Sequence, residues 1–207
     1  KIKNILVSIV TSLGTVLLPR ASYYIETQQI TEFKNLSKKA LNFVFLIATP
    51  MMIYFMLFAK QGIFFLSGDA FAKAVVPMQI IMPTLLLIGI TNILGIQILV
   101  PLGYEKAVLV SEIVGAIIDL IVNALLIPNY QSSGAAIGTL LAEFAVMVVQ
   151  CIALRNEIKS AFSDIKYIKI IIAIVLASFA SCWVNLLNLH VFITLVISAI
   201  LFFGVYG

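Results

Sequence analysis

Three carboxylates lie within lipid-length apolar sequence: Glu112 and Asp119 on one stretch, Glu143 on the next. The turn Ile127-Pro128-Asn129-Tyr130-Gln131-Ser132-Ser133-Gly134 joins the two stretches. An ionised side chain at bilayer depth costs about 2.5–3.5 kcal/mol on insertion scales, so such groups face a polar pathway or a partner rather than lipid. Glu112, Gly115 or Ala116, Asp119 and Asn123 recur at intervals that line one face of a helix. Thr139, Glu143 and Gln150 share a face on the following stretch. The connecting turn is short, so the two stretches are expected to be antiparallel neighbours with their acidic faces able to meet. Carboxylates held away from water take up a proton or a cation, which makes proton or sodium coupling an expectation. The competing reading is that these polar groups hydrogen-bond between helices and hold the bundle together.

Small residues and cations complete the candidate set. Gly134 and Gly138 form a small-xxx-small pair that lets helices approach closely. Pro83 and Gly95 interrupt another apolar run and can permit the bending that alternating access needs. Ser8, Thr11, Ser12 and Thr15 give the first run a small hydroxyl face. Arg20, next to Pro19, is the cation best placed for an anionic cargo, because a guanidinium binds phosphate bidentately. The competing reading, for Arg20 and Lys60 alike, is a topology or interface charge. Cys151 and Cys182 sit in apolar runs without metal-ligand spacing, and the single histidine, His190, lies at a helix boundary. No Gly-rich phosphate loop, metal-spaced His or Cys set or nucleophile elbow is present in the sequence, so the reading is a non-enzymatic protein without a cofactor.

Composition dictates the element that carries these groups. The 207 residues are 62% hydrophobic and 11% charged, with mean hydropathy +1.15. A soluble domain carries about 25% charge, and a chain of this size cannot hide so much apolar surface from water. The class is an all-α polytopic membrane protein. A β-barrel would show roughly ten-residue alternating segments, which are absent from the sequence. The net charge of +4 is a topology signal and does not point to nucleic acid.

A spanning helix needs about 20 apolar residues. Seven runs qualify: 4–19, 38–59 with a possible continuation to 67, 74–101, 106–127, 134–154, 167–187 and 190–206. Pro19, Ser67-Gly68-Asp69, Pro101-Leu102-Gly103 and Pro128 are expected to end the first four, since Pro removes a donor and Gly favours turns. Segment 20–39 reads either as an interfacial amphipathic helix or as a loop with a helical extension. The chain opens on Lys1 without an initiator Met and ends at Gly207 in apolar sequence, so we expect further helices before Lys1.

Charge orients the runs. Arg20, Lys34, Lys38, Lys39, Lys106, Arg155, Lys159, Lys166 and Lys169 fall on one side; Lys1, Lys3, Lys60 and Lys73 fall on the other. The positive-inside rule puts the richer side in the cytoplasm. The first helix then runs inward, and the C-terminus is cytoplasmic.

Several segments occur in a telling order: Ser12-Leu13-Gly14-Thr15-Val16-Leu17-Leu18-Pro19-Arg20-Ala21-Ser22, Gln97-Ile98-Leu99-Val100-Pro101-Leu102-Gly103, Asn123-Ala124-Leu125-Leu126-Ile127-Pro128, and Gly134-Ala135-Ala136-Ile137-Gly138-Thr139 with Glu143. This order resembles the C-terminal half of bacterial polysaccharide repeat-unit flippases (O-antigen and capsule). These belong to the multidrug, oligosaccharidyl-lipid and polysaccharide exporter superfamily. The resemblance covers most of 1–155. It implies a transporter of about twelve to fourteen helices around a central cavity, working by alternating access. Residues 1–155 would be its C-terminal bundle and 156–207 two additional helices. The implied cargo is an undecaprenyl-diphosphate-linked oligosaccharide in the bacterial cytoplasmic membrane. Implied partners are membrane lipid, a polysaccharide polymerase and a chain-length regulator. Pro19, Arg20, Asn123, Pro128, Gly134 and Glu143 match the family pattern, whereas Asp119 stands where a neutral polar residue is usual. A multidrug or lipid II exporter of the same architecture, or a non-transporting subunit of a glycan assembly complex, are the alternatives.

Overall fold

The computed structural model describes residues 2–155, 167–187 and 190–207. The described residues are helical apart from turns and short connections. Helix α1 (Ile2–Glu26) and α2 (Ile30–Leu57) form a hairpin around Thr27, Gln28 and Gln29, with Gln28 at φ 57°. A break at Phe58 leads into α3 (Ala59–Ser67), which Gly68 ends at φ 79°. A 3-10 turn (Asp69–Ala74) precedes α4 (Val75–Ile81), and α5 (Thr84–Asn92) continues into a π-helical segment (Ile93–Leu99). Helix α6 (Glu105–Ala153) is broken at Gln131 (φ 48°, ψ −124°) into arms 105–130 and 132–153. Helix α7 (Tyr167–Cys182) runs through a 3-10 turn (Trp183–Leu187), and α8 (Val191–Tyr206) closes the chain.

All seven apolar runs are helical, with corrected boundaries. Pro19 does not end the first helix: it lies inside α1, which continues to Glu26. Pro128 likewise lies inside α6, and the break falls three residues later, at Gln131. One lost donor does not stop a helix whose flanking turns remain bonded, and membrane helices tolerate proline for that reason. Segment 20–39 is a helical extension of α1 and α2 rather than a separate surface helix. The run 74–101 is not one helix. It bends by 41° between Ile81 and Thr84, at Met82-Pro83. The run 38–59 is interrupted at Phe58 before its continuation to Ser67. Helices α1, α2 and α6 are each long and apolar enough to cross a membrane, and the bent pair makes a fourth such element. Helices α7 and α8 have 16 residues each, about 24 Å at ~1.5 Å per residue, which is shorter than a ~30 Å hydrocarbon core. The 3-10 turn extends α7. Lys1, Lys159 and Lys166, used above for topology, lie outside the described residues.

The main core lies between α1, α2, α5 and the π segment. Val10, Leu41, Val44, Leu85, Ile93, Leu94 and Leu99 are buried there. Gly89 lets the three helices meet: a Cβ on it would come within 2.7 Å of both Val10 and Val44. A second cluster joins the last helices to α2. Tyr54, Phe58, Ala177 and Phe202 pack together. The Tyr54 hydroxyl donates to the Leu195 carbonyl (2.9 Å), and that of Tyr206 donates to the Leu46 carbonyl (2.8 Å). Outward faces are apolar: Ile168, Ile172, Val175 and Phe179 on α7, and Ile113, Ile117, Leu120 and Ile121 on α6 are exposed. That is the pattern of a protein solvated by lipid.

Candidate functional site

The arms of α6 are antiparallel, and their register is visible in the close approaches. A Cβ on Gly134 would sit 2.7 Å from the Leu126 carbonyl, and one on Gly115 would sit 2.5 Å from Val146. Gly138 lies under the Asn123 side chain, and the Gln150 amide donates to the Ser111 hydroxyl at 3.2 Å. Position thus advances along one arm as it retreats along the other. Small residues permit this contact: Gly115, Gly134, Ala136, Gly138 and Ala142 are all buried, as close membrane-helix packing requires.

This register brings the acidic residues together. Glu112, Asp119, Thr139 and Glu143 line one open pocket of about 220 Å³ between the arms, together with Gly115, Ala116, Ala142 and Val146. Glu112 and Glu143 also line a second pocket, of about 230 Å³, whose far wall is Thr91, Asn92 and Gly95. The Glu112 and Asp119 carboxylates and the Lys3 ammonium act electrostatically on Glu143. Asp119 Oδ1 and Asn123 Oδ1 are buried and lack hydrogen-bond partners, and both lie over Gly138. Glu112 is exposed, while Asp119, Asn123, Thr139 and Glu143 are half-buried. The arrangement presents oxygen acceptors at membrane depth, which suits a proton or a cation.

Not every candidate joins this cluster. Arg20 lines neither pocket. It is exposed, its Nε donates to the Tyr24 hydroxyl (2.9 Å), and its guanidinium lies 5.5 Å from that ring's centre. Lys60 sits 5.5 Å from the Phe64 ring centre. Pro19 and Pro128 are exposed helix-interior prolines. Pro83 marks the 41° bend, and Gly95 packs on Gln150, whose Nε2 would be 2.9 Å from a Cβ there.

The structure adds groups that spacing alone leaves scattered. Gln97 is 3% exposed and donates to the Gly14 carbonyl, and Asn92 also packs over Gly14. Three glycines, Gly14, Gly95 and Gly138, therefore each sit beneath a side-chain carboxamide from a neighbouring helix. Segment Ile93–Leu99 carries i→i−5 bonding around this point: Val100 N donates to Gly95 O at 3.0 Å, and Tyr104 N to Leu99 O at 2.8 Å. The wider turn rotates Gln97 off the face an α-helical count assigns it, and π segments recur at functional positions. Lys3 reads as a terminal topology charge in the sequence, which holds no sign of its nearness to Glu143.

Comparison with known proteins agrees with the helical, membrane-embedded reading. The chain is 26% identical over 203 residues to "Uncharacterized membrane protein MJ1068" of Methanocaldococcus jannaschii, covering 98% of the chain and 40% of that protein. It is 27% identical over 158 residues to "Putative O-antigen transporter" of Escherichia coli strain K12, covering 75% of the chain and 37% of that protein. The chain thus spans about two fifths of the length of these curated relatives. No solved structure matches it. The family model described as "Lipid II flippase MurJ" matches residues 5–203, nearly the whole sequence, and by that match the chain belongs to the MurJ lipid II flippase family.

Proposed function

We propose that the protein carrying this chain flips an undecaprenyl-diphosphate-linked polysaccharide repeat unit from the cytoplasmic to the outer leaflet of the bacterial cytoplasmic membrane. The observation that carries this reading is the polar seam between the arms of α6, with Glu112, Asp119 and Glu143 at membrane depth inside a MurJ-family chain. The polysaccharide cargo rests on the ordered motifs around that seam and on likeness to the O-antigen transporter relative. Residues 1–155 serve as a C-terminal transporter bundle, 156–207 as two added helices, and the C-terminus is cytoplasmic. The sugar-diphosphate head travels through the central cavity of the full protein, whose acidic seam holds the coupling cation or proton rather than the phosphates, while the lipid tail stays in the bilayer. A polymerase and a chain-length regulator act on the exported unit.

The second reading, transport of lipid II, is favoured by the matching family model. Complementation separates the two. The full protein is expressed in a strain lacking its O-antigen or capsule flippase, and in one depleted of its lipid II flippase. Restored surface glycan in the first strain, without rescued growth in the second, is the expected result. Rescued growth alone would reverse the order of the readings.

Transport is coupled to a proton or sodium gradient through Asp119 and Glu143. The buried, unpartnered Asp119 Oδ1 and Asn123 Oδ1 support this, because a proton on the carboxyl or a bound cation satisfies them. In vesicles, Asp119→Asn and Glu143→Gln are each expected to abolish the ion dependence of uptake. Ion dependence that survives both substitutions would rule this coupling out.

A further inference from the structure

The pocket between the π segment and the arms of α6 has a wall unlike that of a diphosphate site. Its volume is about 230 Å³. Two of its lining residues are the carboxylates Glu112 and Glu143. Thr91 uses its hydroxyl proton on the Ile88 carbonyl (3.2 Å) and so presents lone pairs. Gln150 is 1% exposed. Its Nε2 donates to Ser111, which leaves Oε1 buried without a partner. An unmade hydrogen bond of this kind costs about 1–3 kcal/mol, and an occupant that brings donors removes that cost.

The charge balance points the same way. Glu112, Asp119 and Glu143 contribute three carboxylates, while among the described residues the cation acting on Glu143 is Lys3. Negative charge in excess repels a phosphate and attracts a cation. Among the described residues, no three His, Cys, Asp or Glu side chains converge as a metal site. The pocket also holds far more than a bare ion. Asn92 and Gly95 also line it, and the remaining wall is aliphatic, with Ile88, Ile96 and Val108. Carboxylates and a free carbonyl beside aliphatic surface fit a cation that carries its own carbon skeleton.

We propose that this pocket binds an organic ammonium group, with Glu112 and Glu143 as its counter-charges and Gln150 Oε1 as a hydrogen-bond acceptor. The group is carried either by the head of the transported glycan or by a free amine. The first source rests on the transport reading; the site itself does not, because binding is measured without transport.

The test is isothermal titration of the full protein in detergent with n-butylammonium chloride, against n-butanol and sodium chloride at matched ionic strength. Saturable binding is expected for butylammonium and not for butanol. Glu143→Gln and Glu112→Gln, both nearly isosteric, are expected to weaken it at least tenfold while thermal melting shows a folded protein. Gln150→Met is expected to weaken it less, through loss of one acceptor. Equal binding of butanol, absence of saturable binding, or unchanged affinity in both Gln variants would each overturn the proposal. Once the site is shown, competition assigns its source. Displacement of butylammonium by a lipid-linked glycan with a free amino sugar, and not by its N-acetylated form, identifies the cargo. Displacement by neither identifies a free amine. Absence of glycan export by the full protein, with butylammonium binding present, would defeat the transport reading and leave the site standing.

Discussion

The side chains at the seam act through what lies beneath them. Gly14, Gly95 and Gly138 have no Cβ, and into the space so left pack Asn92 and Gln97, Gln150, and Asn123. These contacts tie α1 to the π segment, the π segment to the second arm of α6, and that arm to the first. Gly138→Ala would drive a methyl into the Asn123 carboxamide. Overpacking of this kind costs about 1–3 kcal/mol. The expected outcome is a lower melting temperature in detergent, recovered in part by adding Asn123→Ala in the same molecule. If the single variant melts like the parent, the contact is looser than the geometry says. The acidic face of Glu112, Asp119 and Asn123 was legible in the sequence, because helical spacing alone puts those residues together. The partners of Gln150 were not. Ser111 lies 39 positions away, and only the hairpin brings the two into reach.

Helices that bend or change winding set where those side chains point. The Pro83 bend and the π turn at Ile93–Leu99 both lie in the element that forms the far wall of the pocket with Glu112 and Glu143. Proline withholds a backbone donor and crowds the preceding turn, which bends the helix there. Pro83→Ala restores a donor and lets α4 run straight into α5. Glycan export is expected to fall several-fold with the amount of protein in the membrane unchanged, measured by surface-glycan staining beside an immunoblot. Normal export would show that packing, and not Pro83, holds the bend. Hydropathy reads 74–101 as one continuous helix because it counts apolar residues and is blind to bonding pattern. The donor that proline lacks puts Pro19 and Pro128 at helix ends in the sequence, although both lie inside helices.

Across the whole chain, the order of helices and the sites of charge make one topology testable. Helix α1 runs parallel to α5 and the π segment, since Val10 meets Gly89 and Gly14 meets Asn92. The charge-derived orientation requires the same parallel arrangement. On a background without Cys151 and Cys182, a cysteine at Ser132 is expected to react with an impermeant maleimide added outside intact cells. A cysteine at Lys106 is expected to react only after permeabilisation. The reverse pattern would invert the protein in the membrane. The last helices are tied to the bundle through Tyr54, whose hydroxyl meets the Leu195 carbonyl and the Ser198 hydroxyl.

Much of this molecule is written in composition and spacing. Apolar runs of lipid length leave a helical membrane protein as the one way to satisfy the backbone within a bilayer, and spacing by threes and fours lines Glu112, Asp119 and Asn123 along one face. Long-range packing had to supply the rest. The break at Gln131 folds α6 back on itself, and the small residues along its arms set the register. That register turns two separate polar faces into one seam. The same packing brings Lys3 within electrostatic reach of Glu143 and seats Gln150 over Gly95, pairings of residues far apart in the chain that no local pattern encodes.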